Sequence, residues 1–498
     1  MDRIRSKGSI WESKIMSPEE AASLIKPGMT LGTSGFTPAG HPKVIPPALA
    51  RQFSSLSGGG AVNLYTGASV GDELDGELAR INAINRRLPY QTQNDVRNQI
   101  NNGSINYLDM HLSHVSDQVR YGYLGNIDVA IIEAVGITEK GEIIPSTSVG
   151  NVPVFLEQAD KVMIEINTRQ PEALEGFHDI YMPQMPPYRK PIPILTPSDR
   201  IGNPYYQVDP EKVAAIVYSD VDDSVGDFKA PDDASQCMAQ HLIAFLEKEV
   251  KEGRMPSNLR PLQSGVGATA NAVLAGLQTS AFRDLYFYSE VIQDSVLDLI
   301  DTGTFAFASA TSLTLSKKGR EHFYGHLKDY RSHVLLRPQE ISNHPEIIRR
   351  LGVISMNTAI EVDLCGHVNS TNIMGNRMMN GIGGSGDFTR NAALSIFMTP
   401  STAKNSNISA IVPFVSHCDH TEHDVHVVVT EQGVADLRGK CPEEKAAVLI
   451  NECAHPDYRD ALNDYASKYL RHHHIGHQPS EALSWHARFI KDGSMKTI

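Results

Sequence analysis

Short apolar runs alternate with longer amphipathic stretches along most of this 498-residue chain. The runs are rich in Ile and Val and are apolar at consecutive positions, which is typical of strands buried on both faces of a parallel sheet. Six runs are predicted strands: residues 129–133, 161–166, 213–218, 285–288, 408–413 and 426–430. Helical patterns lie between them. The alternation predicts an α/β fold with mainly parallel sheets.

The clearest predicted helix covers residues 231–252, and Gly253 follows it as a residue suited to end a helix. Its apolar face consists of Met238, Leu242, Phe245, Leu246 and Val250. The acidic, glycine-containing segment 220–230 just before it has the composition of a linker. We therefore predict two tandem α/β domains, residues 1–224 and residues 225–498.

Composition and charge narrow the class of protein. Hydrophobic residues make up 41% and charged residues 21% of the chain, and no run approaches the ~20 apolar residues that span a bilayer. The charged first residues are not followed by the apolar segment of a signal peptide. Five cysteines without a CxxC pair fit a reducing compartment, so we expect a cytoplasmic protein. A net charge of −13 without a basic block argues against nucleic acid as a partner.

Two glycine-rich segments fit dinucleotide-binding patterns. Residues 265–270 fit GxGxxA, with Glu290 further along as a candidate ribose-binding acid, and residues 381–386 fit GxGxxG. A nicotinamide-dependent enzyme is therefore one hypothesis, and plain structural turns are another. The sequence context weakens the first, because the polar, proline-containing segment 258–264 before Gly265 is not a predicted strand.

Three segments carry a resemblance to a known family: residues 263–267, 288–294 and 383–388. Further matching segments are residues 33–37, 64–69, 339–343, 400–404 and 430–433. In this order and at these separations they resemble the acetyl-CoA hydrolase/transferase family of class I coenzyme A transferases. The likeness is greatest to the succinyl-CoA:acetate and propionyl-CoA:succinate enzymes, and it covers nearly the whole chain.

The resemblance implies an active site in the cleft between two α/β domains, with coenzyme A held mainly by the C-terminal one. It assigns the nucleophile to Glu290 and two oxyanion donors, both backbone N–H groups, to Val266 and Gly384. Glu431 is a second acid of the predicted catalytic set that positions Glu290 or its partner, and a simple structural role is the alternative. The implied coenzyme-contacting residues are Gly265, Val266, Gly267, Asn343, Asn380, Gly384 and Lys404. The resemblance also implies a homodimer without a resident cofactor, since the coenzyme A thioester is a substrate.

The implied reaction moves coenzyme A between a short-chain acyl-CoA or succinyl-CoA and a free acetate, propionate, butyrate or succinate. A carboxylate fixed on the protein makes the attack on the thioester intramolecular, which removes much of its entropic cost. Three alternatives stay open at this point: an acetyl-CoA hydrolase on the same scaffold, a non-catalytic coenzyme A sensor and a nicotinamide enzyme.

A histidine series has the composition of a zinc site: His417, His420, His423 and His426, with Cys418 and two aspartates among them. A step of three residues suits neither one face of an α-helix nor one face of a strand. The transfer chemistry also needs no metal, so we expect none at this series.

Overall fold

The computed structural model describes residues 3–5, 10–226, 228, 230–470 and 476–496. The chain forms two compact units, and each unit consists of three segments that alternate along the sequence. The first consists of Met1–Asp227, Phe287–Leu297 and Phe307–Ile347, and the second of Phe228–Tyr286, Asp298–Ala306 and Ile348–Ile498. The α/β class with mainly parallel sheets is confirmed. The division into sequential domains at residue 224 stays a prediction, and Glu290 lies in the first compact unit.

The main sheet of the first unit is parallel throughout its central path. Its strands, in spatial order, are Val213–Ser219, Ala159–Asn167, Ile127–Thr138, Thr30–Thr33, Val62–Tyr65, Ile84–Leu88 and Asn106–Tyr107. Shorter strands of this unit are Ile4–Arg5, Glu142–Pro145, Tyr206–Gln207, Val291–Ile292, Ser312–Leu313 and Val334–Leu336. The predicted strands 129–133, 161–166 and 213–218 are confirmed.

The helices of the first unit cover the sheet and support its loops. They are Pro18–Ser23, Ile45–Ser55, Glu77–Arg80, Asn94–Asn101, Val115–Arg120, Val152–Gln158, Lys317–Gly325, Leu327–Tyr330 and Gln339–Ser342. A carboxylate from the sheet caps the start of Ile45–Ser55, because the buried Glu165 accepts from the N–H groups of Val44 (3.1 Å) and Ile45 (3.3 Å). This anion satisfies donors that a helix start leaves unpaired.

The order of the strands reverses next to Thr30–Thr33. The chain first extends the sheet on one side through Val62–Tyr65, and it later returns to the other side with Ile127–Thr138. In open parallel sheets, ligands bind outside the carboxyl ends of the strands at such a reversal. The loop after Thr33 is therefore a favoured position for a binding site.

A buried charge cluster holds that loop. The Lys43 ammonium lies between Glu133 and Asp223, 2.9 Å from Asp223 Oδ1, and donates to the His41 carbonyl at 2.9 Å. Asp223 also accepts from Gly40 N–H at 3.0 Å. Burial alone would raise the pKa of Asp223, but Lys43 and the hydrogen bonds hold it at about 2. The cluster ties the segment after Val213–Ser219 to the loop after Thr33.

The second unit contains four neighbouring parallel strands: Leu262–Ser264, Ile354–Thr358, Leu394–Met398 and Val427–Thr430. Gly433–Asp436 adds an antiparallel hairpin partner to the last of them. The helices of this unit are Asp233–Lys251, Ala268–Thr279, Ser385–Asn391, Pro442–Val448, Pro456–Tyr469, Pro479–Ala482 and Ser484–Asp492. Its smaller strands are Glu361–Asp363, Val368–Asn369, Asn372–Ile373, Arg377–Met378, Thr402–Ala403, Ile408–Ser409 and Ile411–Val412.

Four elements contribute residues to both units: Leu285–Tyr288, Asp294–Asp301, Phe305–Ala310 and Pro345–Leu351. The strand Leu285–Tyr288 confirms the prediction for residues 285–288, and Val427–Thr430 confirms that for residues 426–430. In the part of the chain that the structure describes, no helix combines the length and apolarity needed to cross a membrane.

The predicted helix 231–252 is observed as Asp233–Lys251. The Asp232 carboxylate accepts from Ser235 N–H at 2.8 Å and caps its start, while Gly253 follows its end with a φ of +74°. On the predicted apolar face, Met238, Leu242 and Leu246 are buried, while Phe245 and Val250 are half-buried. The prediction is confirmed to within two residues at each end.

The prediction of one strand over residues 408–413 is wrong. Ile408–Ser409 pairs antiparallel with Thr402–Ala403, whereas Ile411–Val412 pairs parallel with Glu361–Asp363. Two short strands therefore replace the single buried one, because neighbouring residues of this apolar run find partners on different elements.

Candidate active site

Glu290 follows the strand Leu285–Tyr288 by two residues, at the start of a short parallel pair between Val291–Ile292 and Ser312–Leu313. Its carbonyl oxygen accepts from the N–H groups of Thr311 (3.0 Å) and Ser312 (3.1 Å). The side chain is half-buried, and its Oε1 accepts from Asn343 Nδ2 at 3.0 Å. Backbone hydrogen bonds therefore fix the position of the residue, and one amide orients its carboxyl group.

Burial raises the pKa of Glu290 to about 7, and the hydrogen bond from Asn343 offsets part of this rise. Within the described part of the chain, no cation contributes to the shift. A carboxyl group with a pKa this high is more basic than an ordinary glutamate, and perturbed carboxyl groups are typical of catalytic sites. Glu290 has the environment of a reactive carboxyl group rather than that of a solvated surface residue.

Asn343 was predicted to contact the coenzyme, and in the structure its side chain donates a hydrogen bond to the Glu290 carboxyl group. It is fully buried, and its Oδ1 has no hydrogen-bond partner among the described residues. A buried amide oxygen without a partner costs free energy unless a ligand or water satisfies it. Asn343 can therefore hold Glu290 with its nitrogen and face a ligand with its oxygen.

The glycine turn at Gly265, Val266 and Gly267 lies directly after the buried strand Leu262–Ser264 and leads into the helix Ala268–Thr279. The expectation that no strand precedes Gly265 is wrong. Gly267 has a φ of +116°, and Val266 is 49% exposed. Among the described residues, the N–H of Val266 has no hydrogen-bond partner. The turn therefore presents a free backbone donor, in a strand–turn–helix context that suits an anion or phosphate.

Gly384 also carries a free donor. It is buried just before the helix Ser385–Asn391, and no described residue accepts from its N–H. Gly383 before it has a φ of +56°, in the left-handed region that favours glycine. More than nine in ten buried backbone N–H groups are paired in folded proteins. A buried, unpaired N–H at a predicted oxyanion position is consistent with a ligand-facing role.

The predicted residues of the second unit gather at one edge of its sheet. The glycine turn follows Leu262–Ser264, Lys404 follows Leu394–Met398, and Glu431 follows Val427–Thr430. These three strands are parallel, so their carboxyl ends share an edge. The helix that begins after Gly384 packs on two strands of this sheet and connects them, so its start lies at the same edge.

Lys404 lies at the tip of a hairpin between Thr402–Ala403 and Ile408–Ser409. Lys404, Asn405 and Ser406 have φ values of +52°, +55° and +62°. Three consecutive non-glycine residues in this region cost free energy and are typical of functional turns. Lys404 is exposed and forms no ion pair within the described ranges, so its ammonium is available to an anionic ligand.

Glu431 holds the base of the segment that carries Lys404. Its carboxylate accepts from Ser401 N–H at 2.8 Å, from the Ser401 hydroxyl, and from Gln432 Nε2 at 3.1 Å. Burial would raise the pKa of Glu431, but these hydrogen bonds lower it below its usual value. Glu431 is therefore an ionised positioning group for the loop of residues 399–404. Asn380, the remaining predicted residue, is half-buried and immediately precedes the second glycine-rich segment.

The histidine series does not converge on one point. His423 is 80% exposed, His417 pairs with Asp419, and His420 is buried with its Nε2 3.3 Å from Ser385 Oγ. No group of three or more metal-ligating side chains comes together within the ranges that the structure describes.

Sequence reasoning gave no role to Thr37 and Ala68, although both lie in segments that carry the family resemblance. Both are non-glycine residues with positive φ, +52° and +69°. The sequence feature that could have indicated this loop cluster is the neighbouring Gly67. An added Cβ there would lie 2.8 Å from the Cα of Gly150 and 2.8 Å from the carbonyl oxygen of Gly35. Such close approach of three backbone segments marks a tightly built loop cluster.

Comparison with family models identifies two matching regions. The acetyl-CoA hydrolase/transferase N-terminal domain matches residues 1–218, and the C-terminal domain of the same family matches residues 319–466. Together these matches cover well over half of the chain.

Curated relatives of two activities are similar over nearly the full length. A succinyl-CoA:acetate CoA-transferase from Clostridium kluyveri is 52% identical over 487 residues, covering 97% of this chain and 90% of that protein. An acetyl-CoA hydrolase from Schizosaccharomyces pombe is 45% identical over 511 residues, covering 99% of this chain and 98% of that protein.

Two solved structures share the fold at low sequence identity. RipA from Yersinia pestis has a TM-score of 0.70 at 23% identity, covering 92% of this chain and 98% of that one. A 4-hydroxybutyrate CoA-transferase from Porphyromonas gingivalis has a TM-score of 0.63 at 21% identity, with the same coverage. These likenesses establish the α/β architecture.

Proposed function

This chain belongs to the acetyl-CoA hydrolase/transferase family, and we propose that it is a coenzyme A transferase with Glu290 as its covalent nucleophile. The observation that carries the proposal is the state of the Glu290 carboxyl group. It is half-buried, oriented by Asn343 and without a cationic partner among the residues that the structure describes, and its pKa is raised to about 7. A carboxyl group whose pKa is raised by burial without a compensating cation is typical of functional sites.

The proposed cycle begins with attack of the Glu290 carboxylate on the thioester carbonyl. The carbon–sulfur bond breaks, giving an acyl-glutamyl anhydride and the coenzyme A thiolate. The thiolate then attacks the glutamyl carbonyl, which releases the first carboxylate and leaves a glutamyl-CoA thioester. A second carboxylate, such as acetate, propionate, butyrate or succinate, reverses these steps and leaves as its own thioester.

Each attack places negative charge on a carbonyl oxygen. We assign its stabilisation to the backbone N–H groups of Val266 and Gly384, and the absence of described partners for both donors supports this assignment. A single oxyanion donor is worth about 2.7–4 kcal/mol of transition-state stabilisation in enzymes where it has been removed.

The coenzyme carries phosphate groups, and we assign their recognition to the Gly265–Gly267 turn and to Lys404. Among the described residues, the turn offers the unpaired N–H of Gly267 ahead of a helix, and Lys404 offers an ammonium without an ion pair on a strained hairpin. Glu431 supports this hairpin through Ser401. A cytoplasmic homodimer without a resident cofactor stays the expectation from the sequence.

A second candidate function is acetyl-CoA hydrolysis. It is favoured by the acetyl-CoA hydrolases among the relatives, which are 44–46% identical to this chain. A hydrolase would let water attack the same intermediates. Thiol release from acetyl-CoA without a second carboxylic acid separates the two activities. A hydrolase releases free thiol continuously, whereas a transferase holds the coenzyme on Glu290 as a thioester and passes it to an acceptor acid, so free thiol does not accumulate.

The direct test of the covalent step is intact-mass measurement after mixing the protein with an acyl-CoA and no acceptor acid. We expect a mass increase of one coenzyme A minus water, which peptide mapping places on the peptide containing Glu290. Addition of acetate should remove the adduct and form acetyl-CoA. Turnover to acyl-CoA product without any adduct at Glu290, under rapid acid quenching, would refute the covalent proposal.

The pKa of Glu290 predicts the pH dependence of the first step. The nucleophile is the ionised form, so kcat/KM for the acyl-CoA should be level above about pH 8. It should fall by about tenfold per pH unit below the pKa of about 7. Steady-state rates between pH 5.5 and 8.5 measure this limb. A profile that stays flat down to pH 5.5 would show that Glu290 titrates as an ordinary glutamate.

The Asn343→Ala variant tests the cause of that pKa. Asn343 lowers the pKa of Glu290 by its hydrogen bond, so its removal should move the acidic limb to higher pH. Activity should then fall more at pH 6 than at pH 8. If Asn343 acts only through contact with the coenzyme, the loss will be equal at both pH values.

A further inference from the structure

A small apolar cluster lies apart from the main core of the first unit. It consists of the buried residues Phe36, Ala68, Leu112 and Val291, with the half-buried Tyr90 packed against them. Its members come from distant parts of the chain and lie outside the large core cluster of the same unit. An isolated hydrocarbon surface of this kind either supports a loop or faces a ligand.

The Phe36 cluster adjoins the proposed nucleophile. Val291 is the next residue after Glu290. Ser312 connects the two sites, because its N–H donates to the Glu290 carbonyl at 3.1 Å and its hydroxyl donates to the Phe36 carbonyl at 3.2 Å. Phe36 is thus one hydrogen-bonded residue away from Glu290.

A second connection runs through the helix Gln339–Ser342. Gln339 Nε2 donates to the Leu112 carbonyl at 2.9 Å, and Asn343 Nδ2 donates to Glu290 Oε1 at 3.0 Å. Residues four apart share one face of a helical turn. The same turn therefore holds Leu112 and the Glu290 carboxyl group side by side.

The backbone at the cluster is strained. Thr37 and Ala68 both have positive φ, and Thr37 N–H donates to the Ala68 carbonyl at 3.1 Å. A β-branched residue in this region is a marked outlier. Strain of about 1–3 kcal/mol per residue persists mainly at ligand and catalytic sites. The strained pair fixes the positions of Phe36 and Ala68.

The cation that contacts the backbone beside Ala68 is already saturated with hydrogen bonds. The buried Arg87 donates to the Ser69 carbonyl beside Ala68, and its other hydrogen bonds go to Asp75, the Thr66 hydroxyl and the Leu88 carbonyl. Its guanidinium has no donor left for a ligand carboxylate. The surface that the cluster offers is hydrocarbon.

We propose that the Phe36 cluster receives the alkyl end of a short monocarboxylic acyl group, and that Phe36 limits its chain length. This rests on the proposed function, since the acyl carbon bonded to Glu290 would place its alkyl chain against the neighbouring apolar side chains. An additional methylene that a pocket cannot accommodate changes kcat/KM by about 10–200-fold.

The test compares acetyl-, butyryl- and hexanoyl-CoA with the full-length enzyme and its Phe36→Ala variant. The variant should raise the ratio of kcat/KM for hexanoyl-CoA to that for acetyl-CoA by about tenfold or more. The Leu112→Ala variant should shift the ratio in the same direction, and it decides the question if Phe36→Ala does not fold. Tyr123→Ala, which removes a 75% exposed aromatic ring from the same unit, serves as the matched control and should leave the ratio unchanged.

Equal losses for all three substrates would overturn the inference, because a merely structural role of Phe36 does not discriminate chain length. The mass adduct distinguishes this outcome from failure of the proposed function. If wild type forms the adduct at Glu290 while both variants keep the wild-type ratio, only the chain-length inference fails. If no acyl-CoA forms the adduct, the proposed function fails first.

Discussion

Replacing Glu290 by glutamine is expected to lower the transferase kcat by about 10⁴-fold or more, because the amide cannot form the anhydride or the thioester. Glutamine has nearly the same shape and keeps an oxygen that accepts from Asn343 Nδ2. The loss therefore reports the missing nucleophile rather than a change of packing. Initial rates with acetyl-CoA and an acceptor acid measure it, and Glu431→Gln, which alters a positioning group, should lose far less.

The same variant should be more stable than wild type above neutral pH. The folded-state pKa of about 7 is higher than the unfolded value, so ionising Glu290 in the folded protein costs free energy. This cost is absent below about pH 4.5 and reaches about 2–3 kcal/mol near pH 8. Urea unfolding at both pH values measures it. Undiminished turnover, or no gain in stability at pH 8, would contradict the assigned state of Glu290.

Replacing Lys43 by methionine is expected to lower the free energy of unfolding by about 3–5 kcal/mol at pH 7.5. The variant leaves Glu133 and Asp223, which are 1% and 5% exposed, without their cation. It also releases the loop that carries Phe36, since Asp223 holds Gly40 of that loop. Urea unfolding gives the stability, and kcat/KM gives the effect on the site.

The pH dependence of this loss identifies its cause. In wild type, the lowered pKa of Asp223 contributes stability above about pH 4, and this contribution is lost as the pH falls toward 2. In the variant, unpaired buried carboxyl groups have raised pKa values, so ionisation destabilises the protein as the pH rises. The difference between the two proteins should therefore be largest near pH 8 and small near pH 4.

Arg51→Met provides the matched control. The ion pair of Arg51 with Glu19 is 60–63% exposed, and its removal should leave the free energy of unfolding nearly unchanged. A Lys43→Met variant that is as stable as this control, or whose loss does not depend on pH, would show that the buried cluster is not ionised as described.

The strands that the sequence predicted are those whose buried side chains are apolar. Residues 129–133 and 161–166 are apolar at almost every position and lie inside the long strands Ile127–Thr138 and Ala159–Asn167. The strand Leu262–Ser264 was missed because two of its buried residues are polar. Gln263 accepts from Met356 N–H at 3.1 Å and donates to Asn357. Such partners exist only in the folded sheet, so a linear pattern of polarity cannot reveal them.

In the candidate site, too, the sequence predicted some features and missed others. The glycine turns and Glu290 were found from the sequence, because motifs keep their residue types and spacing. The contact between Glu290 and Asn343 was not found, since it joins segments 53 residues apart that meet only through tertiary packing. The same holds for Phe36, which reaches Glu290 through Ser312, 276 residues further along the chain.

The alternation of the chain between the two compact units has a consequence for its synthesis. The first unit includes Phe307–Ile347, so its last segments are translated long after residue 227. At about 5–20 residues per second, the amino-terminal sheet waits on the order of ten seconds for them to leave the ribosome. Until then its loops around residues 34–44 lack the segment that carries the nucleophile. Nascent chains stalled at residue 240 should therefore be more sensitive to protease than chains stalled beyond residue 390.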